Sequence, residues 1–184
     1  MEELALYILD LVQNSIEAGA DRVCVFLDQC AADGKIVIEV RDNGRGMDEA
    51  ARAAAFDPFY TTRTTRRLGL GLALLRAAAE ATRGWVELES QVGAGTRVKA
   101  VFDASHIDCP PLGDVPTTLA VILAANPDLE LCYRHRFGDR EFSFTSSELR
   151  ARLGEVALND PTVFQCLREL FAESLDNLHG GVNP

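Results

Sequence analysis

Apolar residues at helical spacing open the chain. Leu4, Ile8, Leu11, Val12 and Ser15 share one face of a helix read over residues 3 to 18. Asp10, Asn14 and Glu17 fall on another face, and Gly19 ends the helix. The pattern then turns to short runs rich in Val and Ile. Arg22 to Leu27 and Lys35 to Arg41 read as strands, joined through Ala31 to Gly34 with Asp33-Gly34 as the turn. Asp42 to Met47 is a glycine-punctuated loop, and Asp48 to Phe56 looks helical. Asp57 to Leu68 has no apolar period and is rich in Thr and Arg, so it reads as exposed and flexible. A helix over Leu70 to Ala81 follows, then strands over Trp85 to Ser90 and Thr96 to Phe102, joined through Gly93-Ala94-Gly95.

Cys109-Pro110-Pro111 interrupts regular structure and suggests a boundary between Asp103 and Gly113. The expected division is a unit over residues 1 to 103 and a small α/β unit over 104 to 184. In the second unit, Asp114 is the candidate N-cap of a helix over Pro116 to Ala125. Leu129 to Phe137 and Glu141 to Phe144 suggest a hairpin around Gly138-Asp139. Thr145 and Glu148 have capping-box spacing ahead of a short helix. Asp160-Pro161 opens a last helix with an apolar stripe on residues 163 to 178. That stripe reads as core, with a homodimer seam as the alternative.

Charge narrows the partners. The net charge is −10, which argues against a general nucleic-acid binder and against docking on an anionic membrane. No run is long and apolar enough to span a bilayer, and Met-Glu-Glu lacks the basic start of a signal peptide. The five cysteines form no C-x-x-C pair, so reduced thiols in a cytoplasmic protein are the simplest expectation, with Cys24 in the core.

Four short elements carry candidate chemistry. Asn14 lies one helical turn beyond Asp10, which puts two oxygen-bearing side chains on one face, the ligand type a hard cation such as Mg²⁺ takes. Taken alone, that pair is also what a solvated helix face looks like. Asp42, ending a strand ahead of Gly44 and Gly46, can accept a hydrogen bond from an exocyclic amine such as adenine N6, although Asp-Asn-Gly is also turn chemistry. After Phe56-Asp57-Pro58-Phe59, Gly69-Leu70-Gly71-Leu72 opens a helix whose free N–H groups suit an anion, with Arg63, Arg66 and Arg67 just upstream. Thr96 follows Gly93-Ala94-Gly95 at a strand start, where its hydroxyl can reach a base.

In this order and spacing, the four elements resemble the N, G1, F, G2 and G3 boxes of the superfamily containing gyrase, heat-shock chaperone, histidine-kinase and MutL-type ATPases. The resemblance covers about residues 1 to 103. Asp42-x-Gly44-x-Gly46 and Gly69-Leu70-Gly71-Leu72 look like a histidine-kinase catalytic domain in particular, and Phe56 to Arg63 looks like the short lid of nitrogen-regulator-type sensor kinases. The resemblance implies a two-layer α/β sandwich of the Bergerat type, a mixed sheet covered by helices. It implies that ATP is bound with Mg²⁺ on Asn14, that Asp42 reads the adenine amine, and that Gly44 and Gly46 shape the base pocket. Gly69 and Gly71 would present N–H groups to phosphate, and Thr96 would complete the base contacts. Met47, Phe59, Leu70, Leu72 and the three arginines count among the nucleotide-binding residues, and residues 57 to 68 would form the ATP lid.

The match departs from the family pattern in places. Glu17 stands where such kinases often carry Lys or Arg, which leaves phosphate neutralisation to the lid arginines and Mg²⁺. Arg67-Leu68 replaces the usual glycine-threonine at the lid hinge. Asp10 stands where MutL-type ATPases carry a general-base Glu, which makes it a candidate base. No phospho-acceptor helix is expected ahead of the domain, and none of His106, His135 and His179 has the helical acidic context of an acceptor. The leading expectation is therefore a kinase acting in trans on a separate protein. The alternatives are a nucleotide-gated interaction module and a weak MutL-like ATPase. Residues 104 to 184 would confer partner choice.

Overall fold

The computed structural model describes residues 3–30, 33–57, 70–154 and 156–180. In chain order the elements are α1 (Leu4–Glu17), β1 (Arg22–Cys30), β2 (Lys35–Asp42), α2 (Glu49–Ala54), α3 (Leu70–Ala81), β3 (Trp85–Gln91), β4 (Gly95–Asp103), α4 (Val115–Ala125), β5 (Glu130–Phe137), β6 (Arg140–Thr145), α5 (Ser146–Leu153) and α6 (Pro161–His179). The strands form a six-stranded sheet in the order β3-β4-β2-β1-β5-β6. Among the described residues only β1 and β5 run parallel; the other neighbours are antiparallel. This is the mixed sheet with covering helices that the motifs led us to expect.

Alternation along the strands decides which face the helices cover. Val23, Val25 and Leu27 of β1, Ile36, Ile38 and Val40 of β2, and Val98, Ala100 and Phe102 of β4 are buried. They share one face, because side chains two apart point the same way. α1 packs on β1 and β2, α3 on β3 and β4, and α6 on β5 and β6, with α4 between α1 and α6. The apolar face of α1 expected from spacing is the one buried: Leu4, Ile8, Leu11, Val12 and Ser15. Each fully buried aliphatic side chain contributes about 1.5–3 kcal/mol, so this face is enough to hold α1 against the sheet.

The C-terminal segment adds β5 and β6 to the same sheet, with α6 packed on them. β5 lies directly against β1, from Arg22↔Glu130 to Gln29↔Phe137. One buried cluster runs from Leu4 and Val25 through Leu119 and Leu131 to Phe171. The stripe on α6 belongs to that cluster: Val163, Leu167, Phe171, Leu175 and Leu178 are buried within the chain itself. Asp114 caps its helix as expected, accepting from Thr117 N at 2.9 Å, and Asp160 caps α6, accepting from Thr162 N at 2.8 Å. Thr145 does not behave as expected. It is the N-cap of α5 but makes no side-chain cap bond. Its neighbour Ser146 is the buried hydroxyl, donating to Leu129 O and accepting from Leu131 N, both at 2.9 Å.

A buried polar network ties α6 to the sheet. Gln29 Oε1 faces His135 Nε2 at 2.8 Å and His179 Nε2 at 2.9 Å. One amide oxygen can only accept, so both imidazoles carry their proton on Nε2. His135 Nδ1 then accepts from Tyr133 Oη at 3.1 Å. Burial, helped by the neighbouring His179, lowers the His135 pKa to about 3. His135 is thus a neutral structural histidine, which fits its place in a strand.

Candidate functional site

Asp42 ends β2 and gathers three donors from three elements. Its Oδ2 accepts from Ser15 Oγ of α1 at 2.8 Å. Its Oδ1 accepts from Gly44 N at 2.9 Å and from Thr96 N of β4 at 3.1 Å. These bonds fix the carboxylate in a half-buried position. Local sequence explains the arrangement. β2 pairs with β4 so that Asp42 lies opposite Thr96, and Ser15 brings a small hydroxyl on the buried face of α1.

The loop after Asp42 is pinned on both sides. Arg45 N donates to Ala18 O at 2.9 Å, and Gly93 N donates to Arg45 O at 2.8 Å. Asn43 closes the loop onto the start of β1, accepting from Asp21 N at 3.2 Å and Arg22 N at 3.0 Å. Gly46 has a φ of +67°, and a Cβ there would lie 1.9 Å from Gln91 O, so no side chain fits. The loop therefore rests directly on the β3–β4 turn. Met47 N donates to Ser90 Oγ at 2.9 Å, and Ser90 Oγ lies 2.9 Å from Thr96 Oγ1. A shallow groove of about 290 Å³ opens beside it, lined by Met47, Asp48, Glu49, Arg52, Ser90 and Val92, among others.

The other end of the site is built by α1 and α3. Asn14 Nδ2 donates to Asp10 Oδ2 at 3.3 Å. The other polar atom of this amide, its carbonyl oxygen, is of the type a hard cation takes. The Asp10 carboxylate presses on the first turn of α3: a Cβ on Gly71 would sit 1.7 Å from Asp10 Oδ2. The Asp10–Asn14 pair and the start of α3 are therefore one locus. Leu70 is exposed and Leu72 half-buried against the core. Asn14 and Ser15 are consecutive, so α1 joins this locus to the Asp42 clamp.

Of the expected site residues, Asp10, Asn14, Asp42, Gly44, Gly46, Met47, Leu70, Gly71, Leu72 and Thr96 are thus gathered along α1, the 42–47 loop, the start of α3 and the start of β4. Phe59, Arg63, Arg66, Arg67 and Gly69, and nearly all of the expected lid, lie outside the described residues. Sequence reasoning missed Ser15, Asn43 and Ser90 as parts of the site. Ser15 carried a signal, a small polar side chain on an apolar helix face directly after Asn14. Asn43 and Ser90 carried none, because their roles depend on tertiary pairing.

With this geometry in place, comparison with known proteins is decisive. Residues 2–106 match the family model described as histidine kinase-, DNA gyrase B- and HSP90-like ATPase. The chain belongs to this ATPase family. It is 32% identical over 100 residues to a protein of Halalkalibacterium halodurans described as "Probable C4-dicarboxylate sensor kinase", covering 51% of this chain and 18% of that one. It is 37% identical over 95 residues to the sensor protein DivL of Caulobacter vibrioides, covering 52% and 12%. It is 30% identical over 95 residues to the sensor histidine kinase ZraS of Klebsiella oxytoca, covering 51% and 20%. The chain thus spans at most about a fifth of the length of these relatives. A crystal structure of the N-terminal domain of a DNA repair protein superposes with a TM-score of 0.55 at 16% identity, covering 79% of this chain and 52% of that one, which shows the shared fold. An ATP-binding domain of the histidine-kinase type therefore occupies the first part of this chain. Among the described residues, no helix is long and apolar enough to cross a membrane.

Proposed function

We propose that this ATPase-family chain binds Mg²⁺-ATP and passes the γ-phosphate to a residue on a separate protein, with residues 104–184 choosing that protein. The observation that carries the reading is the Asp42 clamp, joined through α1 to Asp10, Asn14 and the start of α3. Asp42 would accept from the adenine amine, Gly44 and Gly46 would border the base with Met47, and Thr96 would complete the base contacts. The donor set fits the metal: one amide oxygen from Asn14, with phosphate oxygens and water as the remaining ligands, suits Mg²⁺. A bound Mg²⁺ would offset triphosphate charge close to Asp10 and Glu17. Backbone N–H groups at the start of α3 would orient the phosphates, joined by Arg63, Arg66 and Arg67. Catalysis of this kind rests on positioning and charge stabilisation rather than on a covalent step.

The three histidines support transfer to another protein. His135 and His179 are buried on Gln29. His106 lies outside any helix, next to Asp108 at 3.7 Å. None is presented on a helix face where an acceptor could enter a second active site. A cytoplasmic setting goes with this reading, as does an acceptor that is neither nucleic acid nor membrane. The test uses γ-labelled ATP, Mg²⁺, the purified protein and a cell extract. Label on a second protein that disappears with Asn14→Ala supports transfer in trans, and acid lability of the label separates a histidine acceptor from serine or threonine. Bound ATP with neither transfer nor phosphate release would overturn it in favour of a nucleotide-gated module. Phosphate release without transfer would favour the ATPase alternative with Asp10 as base.

A further inference from the structure

The sheet face turned away from the helices holds two cysteines from distant parts of the chain. Cys24 of β1 and Cys132 of β5 are directly opposed partners in the parallel β1–β5 pair. Their neighbours along each strand, Val23 and Val25, Leu131 and Tyr133, are buried under the helices, so both thiols point to the open side. Both are half-exposed, and both are free thiols. Cys24 is therefore not the core residue expected from its apolar neighbours. Paired strands lie about 4.8 Å apart, within the roughly 4.4–6.8 Å between Cα atoms that a disulfide spans.

One cation acts on both sulfurs. The exposed Arg22 guanidinium lies 3.9 Å from Cys132 Sγ and places a cation against that sulfur. Cys24 holds its proton: burial first, and then its bond with Cys132, push its pKa up to about 11. Two neighbouring thiols, one of them within reach of a guanidinium, can supply an attacking sulfur and a resolving one.

We propose that Cys24 and Cys132 form an oxidisable dithiol that a peroxide converts to a disulfide joining β1 to β5. In the first step Cys132 Sγ attacks one peroxide oxygen. The S–O bond forms, the O–O bond breaks, and the departing hydroxide takes the Cys132 proton as water. In the second step Cys24 Sγ attacks the sulfenic sulfur. The S–S bond forms, the S–O bond breaks, and the Cys24 proton departs with the oxygen as water. Overall, two thiols and one hydrogen peroxide give one disulfide and two waters, with two electrons passing from sulfur to oxygen.

The link would fasten the segment carrying β5 to the nucleotide half at a sensitive place. On its other side Cys24 is paired with Arg41, the residue before Asp42. Two residues back, Arg22 N is held by Asn43 of the pinned loop. The modification stands independently of the proposed kinase activity.

The test treats the full chain, carrying Cys166→Ser to remove the exposed thiol on α6, with a small excess of hydrogen peroxide at low protein concentration. The expected result is a mass loss of two hydrogens and a proteolytic fragment pair joining Cys24 to Cys132. Thermal unfolding should move up by roughly 5 °C or more, because the bond closes a long loop. Dithiothreitol should reverse both changes. Cys24→Ser should show neither change, and on Cys132 should give a sulfenic acid trapped by dimedone. The proposal is overturned if the peroxide leaves both thiols reduced, if the disulfides formed join other cysteines, or if Cys24 and Cys132 gain oxygen without joining.

Discussion

Replacing Asp42 with Asn should exchange nucleotide selectivity for little loss of fold. The three donors on the carboxylate fix how an amide would sit. Oδ1 accepts two backbone N–H groups, from Gly44 at 2.9 Å and Thr96 at 3.1 Å, so the amide oxygen must take that position. The NH₂ group then faces Ser15 Oγ, which lies 2.8 Å from Oδ2. Ser15 can accept from it, because its own proton has a second partner in Leu11 O at 3.1 Å. All local bonds are thus remade, and the cost to stability should stay near or below about 1 kcal/mol. The second NH₂ hydrogen points to where an adenine amine would bring its own donor. Losing a hydrogen bond to a charged acceptor costs about 1.5–3 kcal/mol, or roughly 10- to 150-fold in Kd. Guanine presents an acceptor at the same place, so GTP should bind as well as before or better. The assay is calorimetric titration of wild type and variant with ATP and with GTP, alongside thermal unfolding. Ser15→Ala serves as the control that keeps the carboxylate and hence the ATP preference. An unchanged ATP-to-GTP ratio in a folded Asp42→Asn protein would falsify the base-reading role.

Asn14→Ala should remove the Mg²⁺ dependence of triphosphate binding, read as equal ATP affinity with Mg²⁺ and with chelator; dependence retained at wild-type strength would place the metal on another residue. Gly71→Ala should force the Asp10 carboxylate off Asn14, since the new Cβ would lie 1.7 Å from Oδ2, and should weaken Mg²⁺-ATP binding by about tenfold, on the order of 1.4 kcal/mol. Adding Asp10→Ala to Gly71→Ala should relieve the clash, visible as recovered thermal stability, and no recovery would mean the strain lies elsewhere. Stability should fall as pH drops below the usual histidine value, because His135 stays neutral down to about pH 3 when folded but gains a proton near 6.5 when unfolded. Between those values the unfolded state binds the extra proton, so the slope is up to about 1.4 kcal/mol per pH unit. Burial lowers the His179 pKa as well, which adds loss in the same direction. His135→Gln should flatten the acid limb of a urea-unfolding series, and an unchanged slope would remove His135 as its source.

Most of the architecture was legible because period and punctuation agree. α1, α3 and the strands follow from residue pattern, with ends set by Gly19 and by the Asp33-Gly34 turn. The cap at Asp114 was readable from local chemistry, and Asp160-Pro161 marked the start of α6. Thr145 was not, because Ser146 is drawn inward to the backbone of residues 129 and 131, and a tertiary contact displaced the local motif. The parallel pairing of β5 with β1 also escaped the sequence, since strand partners more than a hundred residues apart leave no local trace. The same reason hid Cys24: a run of Val and Phe looks like core until the sheet shows that one of its faces is open. At the site, residues within one motif could be named, whereas the donors that hold Asp42 come from α1, the loop and β4 and needed the fold.

The central claim is that Asp42 and Asn14 belong to one Mg²⁺-ATP site, and the most direct test is titration of the purified chain with ATP by calorimetry, with Mg²⁺ and again with EDTA, against GTP under the same conditions. The account predicts saturable one-to-one binding of ATP that is strong with Mg²⁺, much weaker with EDTA, and at least tenfold weaker for GTP. No saturable binding of ATP at millimolar concentration, or equal binding of GTP, would contradict it.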